Sequence, residues 1–168
     1  LCVSCGICVG ACPTATPFRS SDDLVPGIDL PDRSAATLRA EIVAAGERSD
    51  KPKVLVFGCR GDRGFRELRK AGATCIAVNC MGQLPPSYID FILSRGHADG
   101  VLLLGCEDGS CSYRFGSDWT TQRLARRRDP MIRQRVDLSR VAQGWQAPWS
   151  EFATAIDKYR AFESGLSR

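Results

Sequence analysis

Three short apolar runs, each followed within two residues by a cysteine, constrain the fold of this 168-residue chain more than any other feature. The runs cover residues 54–57, 76–79 and 101–104, and the cysteines behind them are Cys59, Cys80 and Cys106. Apolar runs this short, bounded by glycines or turn residues, are typical of buried strands. If the strands are parallel, the three cysteines reach the same edge of the sheet, which is where α/β proteins bind their ligands.

Helical patterns around these strands complete an α/β sequence. Asp32 is a suitable N-cap for a helix that ends near Gly46, a short helix lies between the first two strands, and Pro85 precedes a third helix. Strands that alternate with helices through short loops predict a parallel sheet with helices on both faces. We therefore predict an α/β domain over residues 32–168, with a doubly wound parallel sheet that is flavodoxin-like in outline.

The last third of the chain carries a weaker version of the same pattern. A basic helix is expected to begin at Ser117 or Asp118, and the Asp129-Pro130 pair must end or kink it. Residues 141–146 are predicted as a fourth, weaker strand, with a final helix after it.

The N-terminal segment carries the most specific signal in the sequence. Its cysteines follow the spacing C-x2-C-x2-C-x3-C-P, which bacterial ferredoxins use to bind a 4Fe–4S cluster. They are Cys2, Cys5, Cys8 and Cys12. Zinc sites instead favour paired C-x2-C units separated by a longer spacer. We predict that residues 1–31 form a ferredoxin-type 4Fe–4S segment and a linker to the main domain.

The fourth ligand of that cluster remains open. In two-cluster ferredoxins the fourth cysteine of such a run binds the other cluster. Cys12 then serves a neighbouring cluster, and the parent polypeptide is expected to carry another cysteine run just before Leu1. Without such a run, Cys12 completes the cluster of Cys2, Cys5 and Cys8.

A second set of four cysteines belongs to the α/β domain. Cys111 follows Cys106 with four residues between them, a C-x4-C spacing that also occurs in plant-type 2Fe–2S ferredoxins. Four thiolates suit iron–sulfur clusters and zinc alike, since both favour soft ligands. The residues alone therefore leave both metals open for Cys59, Cys80, Cys106 and Cys111.

Several short motifs of this domain occur together in one known family. They are Cys80-Met81-Gly82, Ala98-Asp99-Gly100-Val101, Gly105-Cys106, Gly109, Cys111, Tyr113 and Gly116. With them, residues 53–162 resemble the delta, or iron–sulfur, subunits of methyl-viologen-reducing hydrogenases, which accompany heterodisulfide reductases. The resemblance implies a 2Fe–2S electron carrier whose ligands are the four cysteines of the α/β domain. It also implies that electrons pass from an oxidoreductase partner to a flavin-containing one.

One position departs from that family. Its members often have a second cysteine three residues after the first, and here that position is Asp62. Either the second cysteine is not a ligand, or Asp62 replaces one and alters the potential. The fused ferredoxin motif implies the soluble end of a larger electron-transfer protein.

Composition excludes several classes of protein. An α/β pattern without a signal peptide favours reduced cysteines, eight of the nine metal-binding, in the cytoplasm over a disulfide scaffold. No apolar run approaches the ~20 residues that span a bilayer, so no membrane span is predicted. The formal net charge of +4 offsets the negative charge of thiolate-bound clusters and, without a nucleic-acid motif, does not indicate a nucleic-acid partner.

Other conspicuous residues have structural interpretations. Cys75 starts the second strand, at the edge opposite the proposed cluster, and is expected to be a buried core thiol. His97, the single histidine, is expected in a surface loop. Arg123 and residues 126–128 form a basic helix face, which is either solvated or docks an acidic redox partner.

No nucleophile–base pair, phosphate loop or paired carboxylate stands out, so the sequence predicts no catalytic residue. The leading hypothesis is an electron-transfer module of a larger oxidoreductase complex. In it, a 4Fe–4S and a 2Fe–2S cluster relay electrons between redox proteins that contain flavin or iron–sulfur centres. The alternatives are a structural or regulatory zinc and thiol domain that binds a partner protein, and a flavodoxin-like enzyme with a flavin at the same edge.

Overall fold

Four parallel strands form the centre of the structure, a computed structural model that describes residues 33–47, 53–60, 62–106, 111, 113–145 and 152–166. The strands are β1 (Val54–Cys59), β2 (Cys75–Val78), β3 (Gly100–Leu104) and β4 (Val141–Gly144). They lie in the order β2-β1-β3-β4, and each neighbouring pair is parallel. This order equals the first four strands of the flavodoxin-like arrangement, so the predicted α/β fold class is confirmed.

Five helices surround the described part of the sheet. They are α1 (Ala35–Gly46), α2 (Arg63–Lys70), α3 (Pro86–Ser94), α4 (Gly116–Leu124) and α5 (Phe152–Gly165). A short 3-10 turn, Met81–Gln83, follows β2. None of the described helices is long and apolar enough to cross a lipid bilayer.

Alternation along the strands divides the core between the two faces of the sheet. On one face, Leu55 and Leu103 pack in a cluster with Ile42 of α1 and Ile92 of α3. The opposite face carries a smaller cluster, whose members include Val56, Leu102, Phe65, Leu68, Tyr159 and Phe162. Strands that are covered on both faces are apolar at successive positions. The strand sequences therefore do not alternate between apolar and polar residues. Each fully buried aliphatic side chain stabilises the fold by about 1.5–3 kcal/mol.

The first helix begins at a different cap from the one predicted. Ser34 is the N-cap of α1, and its Oγ accepts a hydrogen bond from the Thr37 N–H over 3.0 Å. Asp32, the predicted cap, lies outside the described residues, as does the whole of residues 1–31. The proposed division into 1–31 and 32–168 therefore stays a prediction.

The prediction for the basic helix is wrong at both ends. The helix begins at Gly116 with Phe115 in the N-cap position, so Ser117 and Asp118 lie inside it. Ser117 does not cap the helix, because its hydroxyl donates to the carbonyl oxygen of Cys106 over 3.3 Å. The helix ends at Leu124, well before the Asp129-Pro130 pair. Likewise β4 ends at Gly144, two residues before the end of the predicted strand.

Candidate metal centre

Three cysteines reach the carboxyl edge of the sheet, as the strand pattern predicts. Cys59 is the last residue of β1, while Cys80 and Cys106 each follow their strand by two residues. The chain places β2 on one side of β1 and β3 on the other, so the crevice between β1 and β3 is the topological switch point of the sheet. Doubly wound proteins bind their ligands at this point.

The fourth cysteine joins this group, and the sulfurs interact with one another. The Cys80 thiol hydrogen-bonds with Cys111, and its pKa also responds to the charge of Cys106. The Cys59 thiol interacts electrostatically with Cys106 and with Cys80. All four are free thiols. They form one interacting group, in which Cys80 hydrogen-bonds with Cys111 and Cys106 interacts with both Cys59 and Cys80.

Two glycines make this approach of the sulfurs possible. A Cβ at Gly116, the first residue of α4, would clash with Cys80 Sγ and lie 3.3 Å from Cys111 Sγ. Gly82 packs against Gly116 so closely that a Cβ there would lie 3.0 Å from the Gly116 Cα. A larger residue at either position would therefore fill the space in which the sulfurs meet.

Backbone amides point at the two most buried sulfurs. Burial raises the pKa of the Cys59 thiol to about 12, and an N–H bond from Met81 acts against this increase. Burial also raises the pKa of Cys80, and the N–H of Gly82 acts in the opposite direction. Amides that donate to sulfur stabilise thiolates and are one of the means by which proteins tune iron–sulfur centres.

The donor set is of a kind that iron–sulfur clusters and zinc both use, since four thiolates suit either group. A 2Fe–2S cluster takes two cysteines on each of its two irons, and hydrogen bonds to sulfur tune it. Four neighbouring thiols, glycine clearance and donated amides are compatible with such a cluster. As they stand among the described residues, no three cysteine, histidine, aspartate or glutamate side chains converge as a set of metal ligands. The assignment of these cysteines as ligands stays a prediction.

The four thiols differ in how far solvent reaches them. Cys59 and Cys80 are each 4% exposed, whereas Cys106 and Cys111 are half-buried. The site therefore has a closed side at Cys59 and Cys80 and an open side at Cys106 and Cys111.

Asp62 has a clear structural role. It is the N-cap of α2, and its Oδ1 accepts a hydrogen bond from the Phe65 N–H over 2.6 Å. A carboxylate engaged in this way stabilises the start of the helix. The departure from the family motif thus places a helix cap where related proteins often have a cysteine.

Cys75 and His97 both lie away from the site. Cys75 begins β2 at the amino edge, as predicted, although it is half-buried instead of fully buried. His97 precedes β3 at the same edge, where its ring lies 4.9 Å from that of Phe91 and its side chain packs against Gly46. His97 therefore packs against Phe91 and Gly46, more closely than the predicted surface loop implies.

The predicted basic helix face is wrong for its first member. Arg123 is only 8% exposed, and its Nη1 donates to the carbonyl oxygen of Gly82 over 2.7 Å. Arg126 follows the end of α4, where its guanidinium donates to the carbonyl oxygens of Arg133 and Gln134. Periodicity could not show this, because a buried arginine and a solvated one have the same signature in a sequence. The sequence does carry one sign of close packing here, because Gly82 and Gly116 follow Cys80 and Cys111.

Two comparisons with known proteins show what the chain is similar to. A family model described as methyl-viologen-reducing hydrogenase, delta subunit, matches residues 54–166, more than half of the chain. An iron-sulfur subunit of the F420-non-reducing hydrogenase vhc from Methanococcus voltae is 33% identical over 70 residues, which are 42% of this chain and 48% of that protein. The match thus spans about half the length of this curated relative.

The resemblance read from the cysteine motifs is confirmed by the extent of the family match, which begins at the first residue of β1 and reaches past the end of α5. The family model describes a hydrogenase subunit, and the relative is named as an iron–sulfur subunit of a hydrogenase. On this evidence the chain belongs to the family of methyl-viologen-reducing hydrogenase delta subunits.

Proposed function

We propose that this chain is an electron-relay module of a larger cytoplasmic oxidoreductase complex. In this proposal Cys59, Cys80, Cys106 and Cys111 hold a 2Fe–2S cluster at the carboxyl edge of the sheet. A bound cluster supplies one-electron oxidation and reduction, while the protein contributes ligands, distances and electrostatics. The observation that carries the proposal is the meeting of four interacting thiols at the switch point of the sheet, with glycine clearance at Gly116.

The unequal exposure of the four thiols supports an electron relay. The closed side of the site shields Cys59 and Cys80 from solvent, and the open side exposes Cys106 and Cys111 in part. Such an arrangement keeps water from the buried ligands and leaves a short path for electrons to a protein docked at the open side.

We assign the second centre of the relay to the N-terminal segment. The spacing of Cys2, Cys5, Cys8 and Cys12 supports a 4Fe–4S cluster, which then exchanges electrons with the 2Fe–2S centre. Redox proteins that carry a flavin or iron–sulfur centres complete the chain on either side.

The surface beside Cys111 supports docking on the open side. Tyr113, Phe115 and Trp119 are 57%, 50% and 37% exposed, and the rings of Phe115 and Trp119 stack with centroids 6.0 Å apart. The Arg128 guanidinium lies 4.2 Å from the centre of the Trp119 ring. Aromatic residues and arginine are enriched at protein interfaces. We propose that this aromatic–arginine surface docks a redox protein with acidic residues around its own centre.

Metal analysis of protein purified without oxygen tests the main proposal. We expect iron and acid-labile sulfide, with broad visible absorption that dithionite bleaches. Zinc without iron would instead support the structural zinc and thiol domain, and a yellow chromophore released on denaturation would support a flavin enzyme. Either of those results contradicts the relay.

Stopped-flow reduction by an acidic plant-type ferredoxin tests the docking surface. Replacement of Arg114, Arg127 and Arg128 by glutamine should slow the reaction at low salt, since long-range attraction increases encounter rates. Reduction by dithionite should not change, and R95Q at the end of α3 serves as the matched control. Equal rates for both variants with ferredoxin would contradict this choice of surface.

A further inference from the structure

Arg123 is unusual because it is a buried cation beside a group of thiols. It belongs to α4, is 8% exposed, and donates from Nη1 to the carbonyl oxygen of Gly82. Its Nε atom is also buried and has no hydrogen-bond partner among the described residues. Arginine is seldom buried unless it is paired, because desolvation of its charge is costly.

The hydrogen bond of Arg123 brings its charge close to the thiols. Gly82, whose carbonyl oxygen accepts this bond, packs beside Cys80, since a Cβ on Gly82 would lie 3.7 Å from Cys80 Sγ. The Arg123 and Cys80 side chains are close enough to interact electrostatically. Among the described residues, the other charge that acts on Arg123 is the guanidinium of Arg128, so no acidic side chain offsets it there.

The hydrogen bond of Arg123 also reaches the backbone that surrounds the thiols. Gly82 accepts from Arg123 through its carbonyl and donates its own N–H to Cys80. The preceding residue of the same 3-10 turn, Met81, donates its N–H to Cys59. A single guanidinium thus places a positive charge near the sulfurs and holds the turn whose amides face them.

We infer that Arg123 raises the reduction potential of the cluster held by Cys59, Cys80, Cys106 and Cys111, which makes it a positioning residue for electron transfer. The inference rests on the proposed function. Reduction adds an electron to an already anionic centre, and a nearby fixed cation favours the reduced form. Net charge, hydrogen bonds to sulfur and solvent exposure set the potentials of such clusters, and Arg123 affects the first two.

Redox titration followed by EPR tests this inference on the full chain. In R123Q we expect the ratio of reduced to oxidised cluster at a fixed potential to fall about tenfold, which is a shift of about 59 mV to lower values for a one-electron couple. R123K retains the charge but not the planar fork of donors, so its potential should lie between those of R123Q and the unaltered protein. R95Q removes the same charge at the opposite edge of the sheet and should leave the potential unchanged.

Iron and sulfide content, measured on each variant, separates the possible failures. Iron-replete R123Q with an unchanged potential would overturn this inference and leave the proposed function intact. If R123Q does not retain its cluster, R123K decides: a potential below that of the unaltered protein supports the inference, and an identical potential contradicts it. Absence of iron from the unaltered protein would overturn the proposed function, and this inference with it.

Discussion

Cys75 and Cys80 lie at opposite ends of the same short strand, and burial raises the pKa of both thiols. At the amino edge, Cys75 begins β2. After burial, the next effect on its pKa is the charge of Arg69, which lowers it. At the carboxyl edge, Cys80 follows β2, hydrogen-bonds with Cys111 and accepts an N–H from Gly82. The two thiols therefore share a pKa that burial raises and differ in the groups that surround them.

This difference shows that burial alone does not mark a ligand. A buried cysteine in apolar surroundings behaves as a small hydrophobic residue with an unreactive thiol. A ligand needs further thiols nearby, space for sulfur and donors for the thiolate. All three occur at the carboxyl edge of the sheet, and the predictions below test whether they separate the two ends of β2.

The largest expected effect is the loss of a complete centre. C80S removes one of four ligands, and we expect it to lose the iron and sulfide of the 2Fe–2S site. C75S makes the same chemical change at the other end of β2 and should retain both. Iron and sulfide assays with EPR of the reduced proteins provide the comparison, and equal metal loss in the two variants would remove the distinction on which the site depends.

The next largest loss of iron is expected when a side chain fills the space beside the sulfurs. In G116A the new methyl group would clash with Cys80 Sγ, and overpacking of this kind costs about 1–3 kcal/mol. We expect lower iron content and a lower melting temperature. G165A in α5 is the matched control, because a Cβ there meets nothing within 4 Å. Full iron loading in G116A would show that the glycine is not needed for the site.

The role of Asp62 predicts a loss of stability without a loss of metal. D62A removes the N-cap of α2 and should lower the free energy of unfolding by about 1 kcal/mol, while D62N keeps a capping oxygen and should lower it less. Denaturant unfolding gives the stability, and iron analysis gives the metal content. A loss of iron from D62A would instead make Asp62 a ligand, as one reading of the family motif allows.

The smallest effect concerns the pH dependence of the thiol at the amino edge. The pKa of Cys75 increases from 9.0 to about 12 in the fold, so the folded state keeps a proton that the unfolded state loses in alkaline solution. The contribution of the protonated thiol to stability is complete below pH 9 and is lost as the pH rises towards 12. The nearby Arg69 opposes the shift, and Tyr159, whose own pKa burial raises to about 12, responds to the charge of Cys75.

Thermal unfolding of the unaltered protein and of C75S checks this dependence. We expect the melting temperature of the unaltered protein to fall relative to that of C75S as the pH rises from 9.0 to about 12. The change should be modest because Cys75 is half-buried and solvent screens its charge. Parallel curves for the two proteins would mean that Cys75 does not titrate differently in the folded state.

The sequence was sufficient for the fold and for the edge of the sheet at which the thiols meet. Apolar runs that lead into Cys59, Cys80 and Cys106 alternate with helices and so indicate parallel strands, whose carboxyl ends share one edge of the sheet. The boundaries of α4 were harder to predict, because Ser117 has the composition of a cap but donates to Cys106 instead. Local signals do not show which of two hydrogen bonds a hydroxyl forms once distant segments pack.

Arg123 shows what the sequence could not provide. It stands among four arginines within six residues, and nothing in that run distinguishes the buried one. Its burial follows from the packing of α4 against the turn after β2, which brings its guanidinium to Gly82, a residue 41 positions away in the chain. The same long-range packing explains why Gly82 and Gly116 meet, and it emerges only from the fold.

The most direct test of the central claim isolates the α/β site from the N-terminal one. Replacement of Cys2, Cys5 and Cys8 by serine in the full chain should leave about two irons and two sulfides per protein, with an EPR signal of a reduced 2Fe–2S cluster. A second replacement, C111S in that background, should abolish the signal. Bound zinc, or a chain without metal whose thiols at positions 59, 80, 106 and 111 react independently, would contradict the account.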